Sequence, residues 1–133
     1  MSLLKLIDLP SFSDDRGGLV AIESNQSIPF EVKRIYYIFN TSDNKPRGFH
    51  AHIDLKQVAI CLNGSCRFIL DDGNSREDVV LNSPTQGLII EGLIWREMYD
   101  FSKDCILLVL ASDHFNEDDY IRCYGDFLEK ANG

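Results

Sequence analysis

The chain has 133 residues, a formal net charge of −8 at neutral pH, 44% hydrophobic residues and 26% charged ones. That size and balance fit one globular domain able to bury a core without metal or disulfide staples, and no run reaches the ~18 apolar positions that a membrane span requires. The acidic balance excludes nucleic acid and anionic membrane as natural partners, since both are held through basic patches, whereas a small anion would need a local cluster of cationic side chains.

The first residues, Met1-Ser2-Leu3-Leu4-Lys5-Leu6, turn polar too early for a secretory signal, which predicts a cytoplasmic protein. Residues 3–9 read as an N-terminal strand. Short apolar runs then alternate with turn signals at 19–23, 32–39, 58–62, 66–70, 79–81, 87–90, 98–101 and 105–111. This punctuation predicts an all-β sandwich or barrel. Asn63-Gly64 and Asp72-Gly73-Asn74 suit hairpin turns, where Gly and Asn accept positive φ. Only the tail, with Tyr120, Ile121, Tyr124, Phe127 and Leu128, approaches a helical period, weakened by Gly125, so a short C-terminal helix is expected there. No repeat, low-complexity tract or linker divides residues 1–133, which predicts a single domain. Cys61, Cys66, Cys105 and Cys123 lack paired CxxC spacing, and three sit in or beside apolar runs. They read as buried reduced thiols with no assigned chemistry.

The chemistry gathers in Gly48-Phe49-His50-Ala51-His52, with Gln57 and Gly64 downstream. Alternate residues of a strand share a face, so His50 and His52 lie on one side, about 7 Å apart along the chain. Both titrate near neutral pH and could bind a metal or move protons. Arg16, Arg34, Arg47 and Arg96 lie near this segment in sequence or in motif and could supply the positive charge that an anionic small molecule needs.

The His-x-His spacing resembles the first motif of the cupin superfamily of small jelly-roll barrels. Where that pattern carries Glu this chain has Gln57, and where it carries a later His this chain has Arg96. Gln is a weak neutral ligand and arginine repels a cation, so the histidines read as acid/base groups, with no metal and no cofactor. The resemblance narrows with Arg34-Ile35-Tyr36-Tyr37-Ile38-Phe39, Pro46-Arg47-Gly48-Phe49-His50-Ala51-His52, Leu62-Asn63-Gly64-Ser65, Leu70-Asp71-Asp72-Gly73, Trp95-Arg96-Glu97-Met98 and Asp119-Tyr120-Ile121-Arg122. In this order they resemble the cupin-type 3,4-ketoisomerases that act on dTDP-4-keto-6-deoxy-D-glucose. The resemblance implies a small cupin-type jelly-roll barrel, a homodimer without metal, and movement of a ketone from C4 to C3 of the sugar. A PLP aminotransferase would then use the product in 3-amino-3,6-dideoxysugar synthesis. Some members carry His where this chain has Arg96, so the C4 configuration of the product stays open, and many carry Asp where it has Gly125.

On that reading His50 and His52 are catalytic, and Arg47, Arg96 and a tyrosine hydroxyl stabilise the enediolate. Arg16, in Asp15-Arg16-Gly17-Gly18, approaches the diphosphate. Tyr36 and Tyr37 face opposite ways, so only one shares the histidines' face and the other packs. The plainer readings are exposed or hydrogen-bonded histidines, arginines in surface ion pairs and an ordinary turn at Arg16. His114 reads as a loop residue, Trp95 as core or dimer interface, and residues 117–119 as a solvated acidic turn without a ligand role. The competing functions are a 3,5-epimerase on the same nucleotide sugar, a metal-dependent cupin, and a non-catalytic sugar-nucleotide binding module. Residues 3–9 are the candidate segment for pairing or exchange between subunits.

Overall fold

The computed structural model describes residues 2–133. Its strands are β1 (Lys5–Asp8), β2 (Ser11–Asp14), β3 (Gly17–Val20), β4 (Arg34–Ile38), β5 (Arg47–His52), β6 (Gln57–Asn63), β7 (Cys66–Asp71), β8 (Arg76–Leu81), β9 (Gln86–Ile90), β10 (Trp95–Tyr99), β11 (Ile106–Ala111) and β12 (Tyr120–Ile121), followed by helix α1 (Tyr124–Asn132). One five-stranded sheet runs β1-β9-β6-β11-β4 and the other β12-β5-β10-β7-β8, with β2 and β3 forming a separate hairpin. The fold is the all-β jelly roll expected from the sequence. Among the described residues no strand pairing joins the two sheets, so it is an open sandwich rather than a closed barrel.

Strand alternation decides what each side chain meets. On β6, Ala59 and Cys61 point between the sheets, where they join Phe68, Leu70, Leu88, Met98 and Leu107. Val58 and Ile60 point the other way, into a second cluster with Leu9, Ile28, Phe30 and Leu110. Both faces of this strand are therefore buried, which explains its unbroken apolar run. On β10, Met98 faces the inner core, while Trp95 faces outward and packs with Ala51 and Phe127 beneath α1. A polar lattice holds the helix there. The Tyr124 hydroxyl donates to Asp71 at 2.6 Å, Arg76 donates to Asp71 at 2.9 Å and to Glu97 at 2.7 Å, and the Trp95 indole donates to Glu97 at 2.8 Å.

Three expectations change in detail. The run at 19–23 is the second arm of a short hairpin and ends at Val20. Tyr120 and Ile121, expected within the helical tail, are strand because they pair with His52 and Ala51, and the helix begins only at Tyr124. Residues 3–9 do contain a strand, and β1 pairs with β9 of its own chain. Among the described residues no helix is long and apolar enough to cross a membrane.

Candidate active site

Two consecutive left-handed residues aim the histidine strand. Gly48 has φ +91° and Phe49 φ +60°, and between them the pairing steps from Glu97 opposite Gly48 to Arg96 opposite His50. Phe49 is thus the extra residue of a β-bulge, a device that re-aims the side chains that follow it. Only glycine suits the first position, since a Cβ there would lie 3.0 Å from the Arg96 carbonyl oxygen. Phe49 turns outward against Tyr99, while His50 and His52 project to the same side with ring centroids 4.9 Å apart.

The second pairing partner of this strand completes the site. A 3-10 turn at Glu117–Asp119, capped by the Asn116 side chain, delivers Asp119 beside His52 and leads into β12. Asp119 Oδ2 lies 3.1 Å from His52 Nδ1, and its oxygens also accept from the backbone N–H groups of Asp54 at 2.8 Å and Leu55 at 3.3 Å. A carboxylate acceptor fixes the proton on Nδ1, which leaves Nε2 as a lone-pair acceptor. Tyr120 lays its ring 5.1 Å from His50 and 4.3 Å from His52. His50 Nδ1 and His52 Nε2 are both buried without a hydrogen-bond partner in the protein.

From the opposite sheet, Gln57 connects the pair's surroundings. Its Nε2 donates to the Tyr36 hydroxyl at 3.0 Å, and its Oε1 accepts from Arg96 Nη1, whose other terminal nitrogen donates to the Ile94 carbonyl at 3.1 Å. Arg96 is 3% exposed and, among the described residues, forms no ion pair with a carboxylate. Burial draws its pKa down to about 10, so it stays charged at neutral pH. Burial and then the Arg96 charge push the imidazoles below their ordinary value, His50 to about 4 and His52 lower still. Burial likewise raises the Tyr36 hydroxyl, against the pull of Arg96 and of the Gln57 bond. The site therefore holds neutral, basic imidazoles next to an uncompensated guanidinium. That donor set does not suit a resident cation, because an ion between the histidines would face a positive charge in place of a third ligand.

His50 opens onto a cleft of about 540 Å³ whose wall includes Tyr36, Met98 and Tyr120 and whose rim carries Arg34, Arg47 and Arg122. His52 lies behind it, 1% exposed, against a smaller polar cavity of about 120 Å³ lined also by Asp119, Ser112 and His114. The structure thus brings His50, His52, Tyr36, Arg47 and Arg96 to one region, with Arg47 exposed at the rim. Tyr37 is 63% exposed on the outer face, as strand alternation requires of one tyrosine of the pair. Arg16 is not brought to this region. It sits at the tip of the β2-β3 hairpin with its side chain 87% exposed, paired to Asp14 of the same turn.

Sequence reasoning missed the part played by residues 117–122. The acidic run read as solvent-facing, yet Asp119 is turned inward, and Tyr120 and Arg122 point to the cleft. The period-2 spacing of Tyr120 and Arg122 was the available signal. His114 lines the smaller cavity, and Trp95 lies in the core at 3% exposure.

The family described as "FdtA: WxcM-like, C-terminal" matches residues 2–132. A TDP-4-oxo-6-deoxy-alpha-D-glucose-3,4-oxoisomerase from Aneurinibacillus thermoaerophilus is 56% identical over 123 residues, covering 92% of this chain and 88% of that protein. A 3,4-ketoisomerase from Helicobacter canadensis superposes with a TM-score of 0.95 at 48% identity, covering 98% of each chain. The 3,4-ketoisomerase QdtA from Thermoanaerobacterium thermosaccharolyticum, solved as a histidine-to-asparagine mutant with TDP-4-keto-6-deoxyglucose, superposes with a TM-score of 0.96 at 42% identity, covering 99% of this chain and 96% of that one.

Proposed function

The chain belongs to the FdtA, WxcM-like C-terminal family, and we propose that it is a single-domain, metal-independent 3,4-ketoisomerase that converts TDP-4-keto-6-deoxyglucose to a TDP-3-keto-6-deoxyhexose. The observation that carries this reading is the pair of inward imidazoles, each with an unpartnered ring nitrogen, beside a buried guanidinium free of any carboxylate. The names of the relatives supply the substrate class.

Moving the ketone requires loss of the C3 proton, an enediol, and protonation at C4, with one proton passing between the oxygens. His50, the imidazole that faces the cleft, accepts the C3 proton, and the electron pair moves onto the C4 oxygen. Its depressed pKa keeps it in the basic form at neutral pH. The developing oxyanion takes a proton, and Arg96 stabilises the negative charge in a setting of low dielectric. The imidazolium of His50 then returns a proton to C4 as the hydroxyl on C3 becomes the new carbonyl. His52 serves the oxygen-bound proton, with Asp119 holding its tautomer and Tyr120 fixing both rings.

Arg34, Arg47 and Arg122 on the rim form the cationic edge that a nucleotide diphosphate calls for. Arg122 is already oriented, stacked 4.1 Å over the Tyr120 ring and paired with Glu117 at 3.0 Å. A homodimer accords with the outer face of β4 and the residue that follows it, where Ile35, Tyr37 and then Phe39 are more than half exposed at 58%, 63% and 59%. The product, a 3-keto sugar, suits a PLP aminotransferase in 3-amino-3,6-dideoxysugar synthesis. Incubating EDTA-treated protein with TDP-4-keto-6-deoxyglucose and following the sugar by NMR tests the proposal. A 3-keto product supports it, and unchanged substrate refutes it.

A further inference from the structure

At the opposite end of β6 from Gln57, three cysteines meet. Cys61 on β6, Cys66 at the start of β7 and Cys105 just before β11 are each 1% exposed or less, and their sulfurs all lie within 4.8 Å of one another. Cys61 and Gln57 are four residues apart on the same inward face, which places this cluster about 13 Å along the strand from the catalytic region. No role for these thiols follows from the proposed isomerisation. They come from three different strands or strand ends, so their convergence is a product of the tertiary fold and not of local spacing.

We propose that Cys61, Cys66 and Cys105 form a three-thiolate site for one thiophilic divalent d10 ion of the zinc and cadmium class. The geometry supports this in two ways. Three sulfurs bonded at about 2.3 Å in a trigonal plane around one ion stand about 4 Å apart, and Cys61 and Cys105 are already separated by 3.8 Å. A disulfide would need that gap closed to about 2.05 Å, and all three thiols are free. Charge also selects the ion. Each thiol that binds as thiolate releases one proton to solvent, so three thiolates around a dication leave one net negative charge in the core, whereas a monovalent ion would leave two, at greater desolvation cost. The entry path is short, because each cysteine adjoins a surface turn. Asn63-Gly64-Ser65 lies between Cys61 and Cys66, and Ser102-Lys103-Asp104 precedes Cys105, the two turns being tied by Ser65 N–H to Ser102 Oγ at 2.9 Å.

The test uses the full chain, reduced, desalted anaerobically and titrated with CdCl2 against a chromophoric chelator. One Cd2+ per chain is expected, with thiolate-to-cadmium charge-transfer absorption that saturates at one equivalent and proton release above one per ion. Cys123→Ser, which alters the exposed remaining cysteine, leaves the titration unchanged. Cys61→Ser, Cys66→Ser and Cys105→Ser each weaken binding by at least the ~10–100-fold that loss of a mere outer-shell partner costs. Because serine in the core can disturb folding, the 113Cd NMR shift of the unmutated protein gives an independent reading, and a sulfur-rich resonance is expected. Absence of the charge-transfer band, an oxygen- or nitrogen-dominated 113Cd shift, loss of binding in Cys123→Ser, or a Cys61–Cys105 disulfide in the untreated protein would each overturn the proposal.

Discussion

Replacing Asp119 with Asn tests the tautomer argument directly. The carboxylate accepts three hydrogen bonds, from His52 Nδ1 at 3.1 Å and from the backbone N–H groups of Asp54 and Leu55 at 2.8 and 3.3 Å. In Asp119→Asn an amide oxygen that keeps the shorter backbone bond, from Asp54 N–H to Oδ1, leaves the amide nitrogen at the Oδ2 position, where it faces His52 and donates while the Leu55 N–H loses its acceptor. His52 must answer with a lone pair on Nδ1, so its proton moves to Nε2 and the inward nitrogen ceases to be a base. Loss of one positioned acid/base group costs about 10²–10⁴-fold in rate, or about 3–5 kcal/mol of transition-state stabilisation. Stability should fall by about 1–3 kcal/mol, the scale of leaving the Leu55 N–H without its acceptor. The assay is turnover of TDP-4-keto-6-deoxyglucose by NMR, alongside urea denaturation of both proteins. Near-native turnover in a folded Asp119→Asn protein would refute the reasoning, and so would a loss of activity that merely tracks unfolding.

Other consequences separate the remaining roles. His50→Asn and His52→Asn should each fold and each lower turnover by about 10²-fold or more, and the acid limb of kcat/KM for the unmutated enzyme should fall near pH 4–5 rather than 6.5, as a pH-rate profile would show. Because the folded His50 pKa of about 4 lies below the unfolded 6.5, stability is full above pH 6.5 and declines as pH falls toward 4. At about 1.4 kcal/mol per unit the His50 share is roughly 3 kcal/mol at most, and His50→Asn should lessen the slope of stability against pH without abolishing it, because His52, also depressed, keeps its own share. Arg96→Met should lower turnover by about 10²–10³-fold while leaving stability within about 2 kcal/mol, since removal of an uncompensated buried charge offsets the orphaned Gln57 oxygen. Phe127→Ala should cost about 3–5 kcal/mol in urea denaturation, because its fully buried ring ties α1 to the back of the histidine strand.

The features readable in the sequence were those set by local period and turn chemistry. Short apolar runs revealed the strands of both sheets, and His-x-His placed two imidazoles on one face whatever the sheet order. The motif resemblance located Arg96, which lies between Gln57 and the Ile94 carbonyl as part of the inner wall. What escaped depended on pairings that no local pattern encodes. Tyr120 and Ile121 carry apolar surface at a spacing compatible with helix, and only the open edge of β5 makes them strand. Asp119 sits in an acidic run that resembles a solvated turn, and its role appears only once that pairing carries it to His52. The turn at Arg16 is legible in Asp15-Arg16-Gly17-Gly18, whereas the hairpin that bears it contributes no residue to the lining of the cleft of its own chain. The three buried thiols were expected to be buried and reduced, while their mutual approach required the fold.

The most direct measurement is the isomerisation itself, run in D2O with EDTA and followed by 1H and 13C NMR of the sugar ring. Proton transfer by the inward imidazoles between adjacent carbons predicts a 3-keto product labelled at C4, recovered substrate labelled at C3, and no label at C5, with His50→Asn abolishing both labels. Deuterium at C5, or label that persists in folded His50→Asn at the native rate, would contradict it.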